Sequence, residues 1–230
     1  MVDVQCGFPP AYATPRYEAP TTAWCSPPHK NTRPTIFIFV EIVRLIHTAI
    51  VEVMRSIIPM ESNPVLREHA RPLSVTEIKT AEVRTLIREM KQLLAQENNG
   101  VALAAPQVGE SIRLFIVSGR ALTRRRDEGT DGSDAAAMQD EVYINPKIVK
   151  ISKAKKDKHE GCLSIRGQWG MVPRAEKVTL RALDENGKSV ERGASGFLAH
   201  IFQHEMDHLE AILYTDRATE LYDEDPEENA

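Results

Sequence analysis

The chain has 230 residues, of which 42% are hydrophobic and 27% are charged, and its formal net charge is −4. This composition is ordinary for a globular protein, and so mild an acidic excess excludes a chain whose overall charge suits it to DNA. The length allows one substantial domain with an appendage.

The distribution of charge and the cysteine content further narrow the possible classes of protein. Residues 124–126 are three consecutive arginines and residues 216–230 are strongly acidic, and both segments are predicted to be solvated. The cysteines, Cys6, Cys25 and Cys162, are three in number and irregularly spaced. This pattern indicates no disulfide framework and favours a reducing compartment.

The first 57 residues are predicted to be an extension outside the main domain. Residues 1–34 are rich in proline and lack the features of a secretory signal. Residues 35–58 are apolar, but charges that a membrane span would tolerate poorly interrupt them at Glu41, Arg44, Glu52 and Arg55. No transmembrane span is therefore expected. An amphipathic helix on the domain or on a membrane surface is favoured, while a targeting segment and a translation start at Met54 remain open.

The folded domain is predicted to cover residues 58–218 and to begin with a helix. Ser74 followed by Glu77 forms a capping-box pattern, and apolar residues then recur at helical spacing until Gly100. We expect a helix over about residues 75–97.

Strands and a second helix follow this first helix. Residues 112–119, 142–151 and 177–191 have strand patterns, with a hairpin turn at Asn186-Gly187. Residues 120–140 read as a charged loop, residues 195–211 as a final helix, and residues 219–230 as an acidic disordered tail. The segregated order favours an α+β fold, with antiparallel strands packed around the C-terminal helix.

The final helix carries the sequence "HEMDH". His204 and His208 are four residues apart, on one face of the helix, and Glu205 follows the first histidine. In this pattern two imidazoles hold a metal and the glutamate serves a bound water as base. His200 lies roughly 12 Å along the axis from His208, too far to share the ion, and is predicted to be a surface residue.

A third ligand is needed, and two places could supply it. Ala211 and Tyr214 stand where one metalloprotease class needs glycine and histidine, which excludes that class. The acidic tail offers Glu227 and Glu228, whereas Cys162 follows a predicted strand upstream. Cys162 is favoured, although a buried, inert cysteine stays possible on its residue type alone.

Three segments together resemble the peptide deformylases. They are "GVALAAPQVG" (100–109), "EGCLS" (160–164) and "QHEMDHL" (203–209), in the order and approximate spacing of that family. The resemblance implies a hydrolase that removes the formyl group from the N-terminal methionine of nascent chains. It also implies one divalent metal ion, iron(II) in the family, while zinc, nickel or cobalt would suit the same donors.

The resemblance assigns each site residue a role. It implies Cys162, His204 and His208 as metal ligands and Glu205 as the general acid/base. Gln107 and the Leu163 amide correspond to the oxyanion donors. The substrate-binding positions implied are Val101 and Gly161.

Four positions depart from the family pattern. Ala102 and Ala211 stand where glycines are common, Arg166 where proline is common, and His200 where arginine is frequent. Ala102 is expected to narrow the cleft or to shift a loop that otherwise wants a positive φ. These changes bear on rate and substrate affinity more than on the type of reaction.

Two other functions are weighed against deformylation. The same residues suit a closed, non-catalytic metal site in a degenerate deformylase, and HEMDH alone suits a metalloprotease with a downstream third ligand. Nascent chains imply transient association with the ribosome, for which residues 124–126 are a weak candidate contact. A monomer is expected, in the bacterial cytoplasm or alternatively in an organelle matrix or stroma.

Overall fold

Two antiparallel sheets and the helices beside them make up the part of the chain that the computed structural model describes, residues 55–122 and 139–223. The helices used below are α1 (Val75–Ile78), α2 (Ala81–Gln96) and α3 (Gly196–Leu209). The strands are β1 (Ala102–Ala104), β2 (Leu114–Val117), β3 (Glu141–Ile151), β4 (Lys155–Cys162), β5 (Ile165–Ala175), β6 (Lys177–Leu183), β7 (Ser189–Ser195) and β8 (Glu220–Asp223).

The larger sheet has the strand order β1-β2-β3-β6-β7, and a helix covers each face. Side chains alternate along β2, so Leu114 and Ile116 belong to the core cluster of α2, while Phe115 and Val117 belong to that of α3. All four are buried because both faces are covered. This central sheet therefore separates two apolar layers, each closed by one helix.

Aromatic packing fixes α3 against the sheet. Phe202 lies 5.1 Å from Tyr143 and 6.1 Å from Phe115 between ring centroids, and such tilted contacts add to the gain from burial. The predicted α+β fold, with antiparallel strands around the C-terminal helix, is confirmed.

The smaller sheet has the order β4-β5-β8. A two-residue turn at 163–164 joins β4 to β5, so Cys162 pairs with Ile165 at the end of the hairpin. Residues 220–223, predicted to belong to a disordered tail, instead form β8 and pair with residues 168–171 of β5. The acidic composition hid this strand because it is short and its residues are exposed.

The N-terminal helical region is interrupted where one helix was expected. Ser74 and Glu77 form the predicted capping box, with Ser74 Oγ accepting from the Glu77 amide at 3.2 Å. The chain then leaves the helix, and the Thr80 hydroxyl caps a new start by accepting from the Val83 amide. The predicted hairpin turn is confirmed, with Gly187 at a φ of +79° between β6 and β7.

The chain enters the described region in extended form. Residues 55–59 have no helical assignment, and Arg55 forms ion pairs with Glu89 and Glu110. The rest of the predicted amphipathic helix, the proline-rich extension, residues 124–126 and the tail beyond residue 223 lie outside the described residues. No helix within the described ranges is long and apolar enough to cross a bilayer.

Ala211 is strained, and replacing it with glycine should stabilise the protein. It follows α3 with a φ of +61°, a conformation that costs a non-glycine residue about 1–2 kcal/mol, whereas glycine loses roughly 0.5–1 kcal/mol more backbone entropy on folding. Ala211→Gly should therefore raise the free energy of unfolding by about 0.5–1 kcal/mol in denaturant titrations.

Ala95 provides the matched control because it is exposed within α2. Ala95→Gly should lower the free energy of unfolding by up to about 1 kcal/mol. Equal destabilisation by both substitutions would contradict the strain at Ala211.

Candidate metal centre

One strand end and one helix face bring three potential metal ligands together. The ligand atoms of Cys162, His204 and His208 all lie within 4.8 Å of one another. The Cys162 Sγ atom is 3.4 Å from His208 Nε2. Sulfur and imidazole ligands of a tetrahedral ion, bound at about 2.3 and 2.1 Å, would be separated by roughly 3.6 Å. The donor set and its spacing therefore fit a divalent metal with one coordination position left for water or substrate.

The local structure explains this convergence. His204 and His208 follow each other by one helical turn on α3, and their rings lie 4.9 Å apart, nearly perpendicular. Cys162 is the last residue of β4, so the tight turn after it ends the strand beside the helix. Tyr214, just beyond α3, stacks on the His204 ring at 6.3 Å.

Glu160 determines which nitrogen of His204 faces the cluster. Its Oε2 atom lies 2.8 Å from His204 Nδ1. Burial alone would raise the pKa of Glu160, but hydrogen bonds from Arg174, His200 and His204 hold it far below its ordinary value. Because a carboxylate only accepts hydrogen bonds, Nδ1 of His204 carries the proton and Nε2 offers its lone pair to a metal.

A buried charge network extends from Glu160. Arg174 donates to both Glu160 oxygens, at 2.6 and 2.9 Å, and to Asp207 at 2.6 Å. Arg217 binds the same aspartate from the other side, at 2.8 and 3.0 Å. The side chains of Glu160 and Arg174 are 0% and 4% exposed, so this network ties β4 and β5 to α3 in the interior.

Cys162 is prepared to act as a thiolate. Burial opposes ionisation, but the charge of His208 and hydrogen bonds from both histidines lower the pKa of the thiol to about 5. The thiolate is the form that binds metals. Among the cysteines, Cys162 alone lies in the described residues, where it is free of any disulfide.

Gln107 directs its amide nitrogen at the same cluster. Its Oε1 atom accepts from the Ala104 amide at 2.8 Å, which fixes the orientation of the side-chain amide. The Nε2 atom then lies 3.4 Å from Cys162 Sγ and 3.5 Å from Ser164 Oγ. Gln107 thus presents a buried donor beside the metal ligands.

Glu205 is buried next to the first histidine without a compensating cation of its own. Its exposure is 3%, and its Oε2 atom has no hydrogen-bond partner among the described residues. Burial raises the pKa of this carboxyl to about 7, against the opposing charges of His204 and His208. Such a group can exchange a proton near neutral pH.

The remaining predicted site residues lie around these elements. Leu163 begins the turn after Cys162, and Val101 directly precedes β1. Gly161 lies against the Trp169 ring, whose atoms would be 3.1 Å from an added Cβ. A side chain at position 161 would therefore displace Trp169.

The positions that depart from the family pattern have distinct structural outcomes. Ala102 lies in β1, paired with Val117, and its φ is not positive, so the alanine is unstrained there; its expected effect on the cleft stays a prediction. Arg166 is exposed and binds Glu97 through two hydrogen bonds, at 2.7 and 3.3 Å. Neither residue displaces a member of the metal cluster.

His200 is buried, contrary to the predicted surface position. It is 8% exposed and its Nε2 atom lies 2.9 Å from Glu160 Oε1. The pattern of α3 concealed this because position 200 faces a polar partner that comes from another strand. His200 is not a member of the three-residue cluster, in agreement with its expected exclusion as a ligand.

Sequence reasoning missed the residues that support the ligands. Glu160, Arg174 and Asp207 received no role, although two of them lie inside the matched motifs. Glu160 and Arg174 meet only when β4, β5 and α3 pack together, so no local sequence pattern indicated this pair. Glu210, just beyond α3, forms an ion pair with Arg113 at 2.8 Å.

Comparisons with known proteins agree with this geometry. The family model described as polypeptide deformylase matches residues 54–224. A peptide deformylase of Symbiobacterium thermophilum is 45% identical over 75% of this chain and 69% of its own length. One of Halothermothrix orenii is 43% identical over 70% of this chain and 92% of its own.

A solved structure has the same fold. It is a class I type b peptide deformylase from Acinetobacter baumannii with Met-Ala-Ser bound, 33% identical, with a TM-score of 0.59. The alignment covers 71% of this chain and 98% of that one.

Removing the charge of Glu160 should weaken metal binding. Glu160→Gln frees the His204 ring and leaves Arg174 partly unpaired in the interior. We expect the metal affinity to fall about 10–100-fold and the free energy of unfolding to fall by about 3–5 kcal/mol. Competition with a chromophoric chelator for zinc measures the first quantity, and denaturant titration the second.

Glu191 serves as the control because it loses the same charge in an exposed pair with Arg181. Glu191→Gln should leave metal affinity unchanged and stability within about 1 kcal/mol. Unaltered zinc affinity in Glu160→Gln would show that Glu160 does not orient the ligand.

Proposed function

This chain belongs to the peptide deformylase family and is a metal-dependent hydrolase, and from this premise we propose how its residues remove the formyl group of N-terminal formylmethionine. The observation that carries the proposal is the convergence of Cys162, His204 and His208 beside the Gln107 amide. Formamide hydrolysis breaks the formyl C–N bond and forms a C–O bond. It therefore needs a water nucleophile, a stabiliser of negative oxygen, and a proton for the departing amine.

The three ligands would hold one divalent ion, with iron(II) favoured by the family and zinc, nickel and cobalt as alternatives. Soft thiolate with two imidazoles is compatible with each of these ions. When bound, the metal lowers the pKa of water and so supplies hydroxide near neutral pH. The Nδ1–H group of His204 donates to Glu160, so this ligand keeps one orientation.

Glu205 would act as the general acid/base. It is adjacent to the ligand His204 and keeps one buried oxygen, Oε2, free of hydrogen bonds within the described residues. That oxygen can take the proton of the nucleophilic water and then deliver it to the amine nitrogen as the C–N bond breaks. The product amine therefore leaves neutral, and Glu205 returns to its starting form.

Gln107 and Leu163 would stabilise the formyl oxygen as negative charge develops on it. The fixed amide of Gln107 donates through Nε2, and the Leu163 backbone amide is proposed as the second donor because it follows Cys162 directly. Preoriented donors stabilise this charge without reorganising during the reaction.

The peptide would bind alongside Val101 and Gly161. Gly161 has no side chain, which leaves the Trp169 ring in place against the strand. The Acinetobacter baumannii structure contains Met-Ala-Ser, which supports peptides beginning with methionine as the ligands of this cleft.

Two alternatives lose support from the described contacts. A closed structural site would have no use for a buried, unpaired Glu205 oxygen or for an aligned Gln107 donor. A downstream third ligand is unnecessary because Cys162 already completes the set, which disfavours a metalloprotease of the HEMDH type.

The setting of the reaction follows from the substrate. Formylated chains are made on bacterial and organellar ribosomes, so we propose transient ribosome association of a monomer in the bacterial cytoplasm. An organelle matrix or stroma is the alternative. The division into an extension over residues 1–57, a catalytic domain over 58–218 and a tail remains our proposal, with β8 assigned to the folded part.

The first test separates metal binding from proton transfer. Cys162→Ala and His204→Ala should lose both metal and activity, because each removes a ligand. Glu205→Gln should retain one metal per chain yet hydrolyse formyl-Met-Ala-Ser at least about 10²-fold more slowly, since its amide cannot take a proton. Metal content by elemental analysis and anaerobic turnover of iron- or nickel-loaded protein give the two readings, and full activity in Glu205→Gln would contradict the mechanism.

The second test removes the proposed oxyanion donor. Gln107→Ala should reduce kcat by about 10²–10³ while leaving the metal bound. Asn63 is a control because its side chain donates to the Pro106 carbonyl at 2.8 Å and supports the same turn. Asn63→Ala leaves the Gln107 amide in place and should cause a much smaller loss, whereas equal losses would assign the effect to the shape of the turn.

A further inference from the structure

Positive charge is concentrated where the two sheets are joined. Residues 147–158, "KIVKISKAKKDK", contain six lysines and one aspartate, a net charge of +5 in a chain whose total is −4. The other 218 residues therefore carry −9, the difference between −4 and +5. We call this segment the lysine surface; its lysines are Lys147, Lys150, Lys153, Lys155, Lys156 and Lys158.

Most of these lysines are exposed and have no acidic partner within the described residues. All are exposed except Lys158, which is half-buried. Within the described residues only Lys156 has an ion-pair partner, Glu176 at 3.1 Å. By contrast, Arg166 and Arg181 on strands nearby each bind a glutamate. The lysine surface therefore keeps most of its charge available for an external anion.

The two strand segments that carry the lysines are open on one side. Among the described residues, β4 is an outer strand of the smaller sheet, and β3 beyond Ile144 pairs only with β6. At about 3.3 Å per residue along β4, Lys155 lies roughly 23 Å from Cys162 and Lys158 roughly 13 Å from it.

We propose that the lysine surface binds the phosphate backbone of ribosomal RNA. The proposal rests on the proposed function, because a nascent formylated chain is presented at a surface built largely of RNA. Lysine is a mobile point charge that suits phosphates and does not read bases, so the contact is independent of sequence and sensitive to salt. It would hold the metal centre about 20 Å from the RNA, within reach of an emerging N-terminus.

A second explanation for these lysines is protection of open strand edges. Natural sheets place lysine on edge strands to prevent edge-to-edge aggregation. That role needs charge on the edge but no anionic partner. The two explanations differ in RNA affinity and its dependence on salt, which can be measured directly.

The test uses the full metal-loaded chain with a triple substitution, Lys150→Gln, Lys153→Gln and Lys155→Gln. Binding to salt-washed 70S ribosomes and to protein-free 23S ribosomal RNA is measured between 50 and 200 mM salt. We expect the affinity to fall about tenfold or more and the slope of log K against log salt to flatten by about 2–3, roughly one for each lost phosphate contact. Hydrolysis of free formyl-Met-Ala-Ser should stay within about twofold of the original rate, since none of these residues belongs to the metal centre.

Two matched variants make the result specific. Lys79→Gln, Arg84→Gln and Arg88→Gln remove the same charge from exposed positions on and before α2, and should retain RNA binding. The triple variant Lys150→Arg, Lys153→Arg and Lys155→Arg keeps the charge and should also retain RNA binding. If neither the original chain nor any variant hydrolysed the free peptide, the proposed function would be refuted. The RNA affinities would still test the lysine surface, because they are measured independently of hydrolysis.

Three results would overturn the RNA contact. One is unchanged RNA affinity in the glutamine triple variant. This result would leave edge protection as the role of the lysines, whether or not light scattering detects aggregates of the variant. Another is an equal loss in the α2 control, which would mean that only net charge counts. The third is that the glutamine triple variant loses binding to vesicles of anionic phospholipid but keeps its RNA affinity. This result would identify a membrane surface as the partner of the lysines.

Discussion

The acceptor capacity of one buried carboxylate constrains the metal centre. Glu160 receives two contacts from Arg174, one from His204 and one from His200, all between 2.6 and 2.9 Å. A carboxylate offers about four acceptor positions, so this side chain is saturated and held in a single orientation. Because His204 donates a hydrogen bond from Nδ1 to Glu160, the orientation of this metal ligand follows from the geometry of the network.

The same short stretch of β4 therefore does three separate things. Glu160 points into the charge network, Gly161 leaves room for the Trp169 ring, and Cys162 ends the strand at the metal cluster. Glu160 and Cys162 both contact histidines of α3, whereas Gly161 lies against Trp169, and the β4–β5 pairing is irregular between residues 160 and 162. The helix supplies its part through one turn, from His204 to His208. A register shift in either element would separate ligands that are adjacent here.

The sequence revealed the ligands but not the residues that orient them. Metal ligands have restricted chemistry and spacing, so HEMDH and the EGCLS cysteine could be recognised, as could the capping box at Ser74 and the turn at Gly187. Arg174 and His200 meet Glu160 only after β4, β5 and α3 have packed, and no local pattern records such contacts. β8 was missed for the opposite reason, since an exposed acidic strand is stabilised by pairing with β5 and not by its own composition.

This arrangement favours orientation over stability. Burying Glu160, Arg174 and Asp207 removes three charges from water, and apolar residues of similar volume often give equal or greater stability. An apolar replacement could not fix the tautomer of His204, however, because the imidazole would lose the acceptor that holds its Nδ1 proton. The neighbouring aromatic cluster of Phe115, Tyr143 and Phe202 packs α3 against the larger sheet through apolar contacts. The apolar layer on one face of the sheet thus allows α3 to carry a charged network on the side that faces β4 and β5.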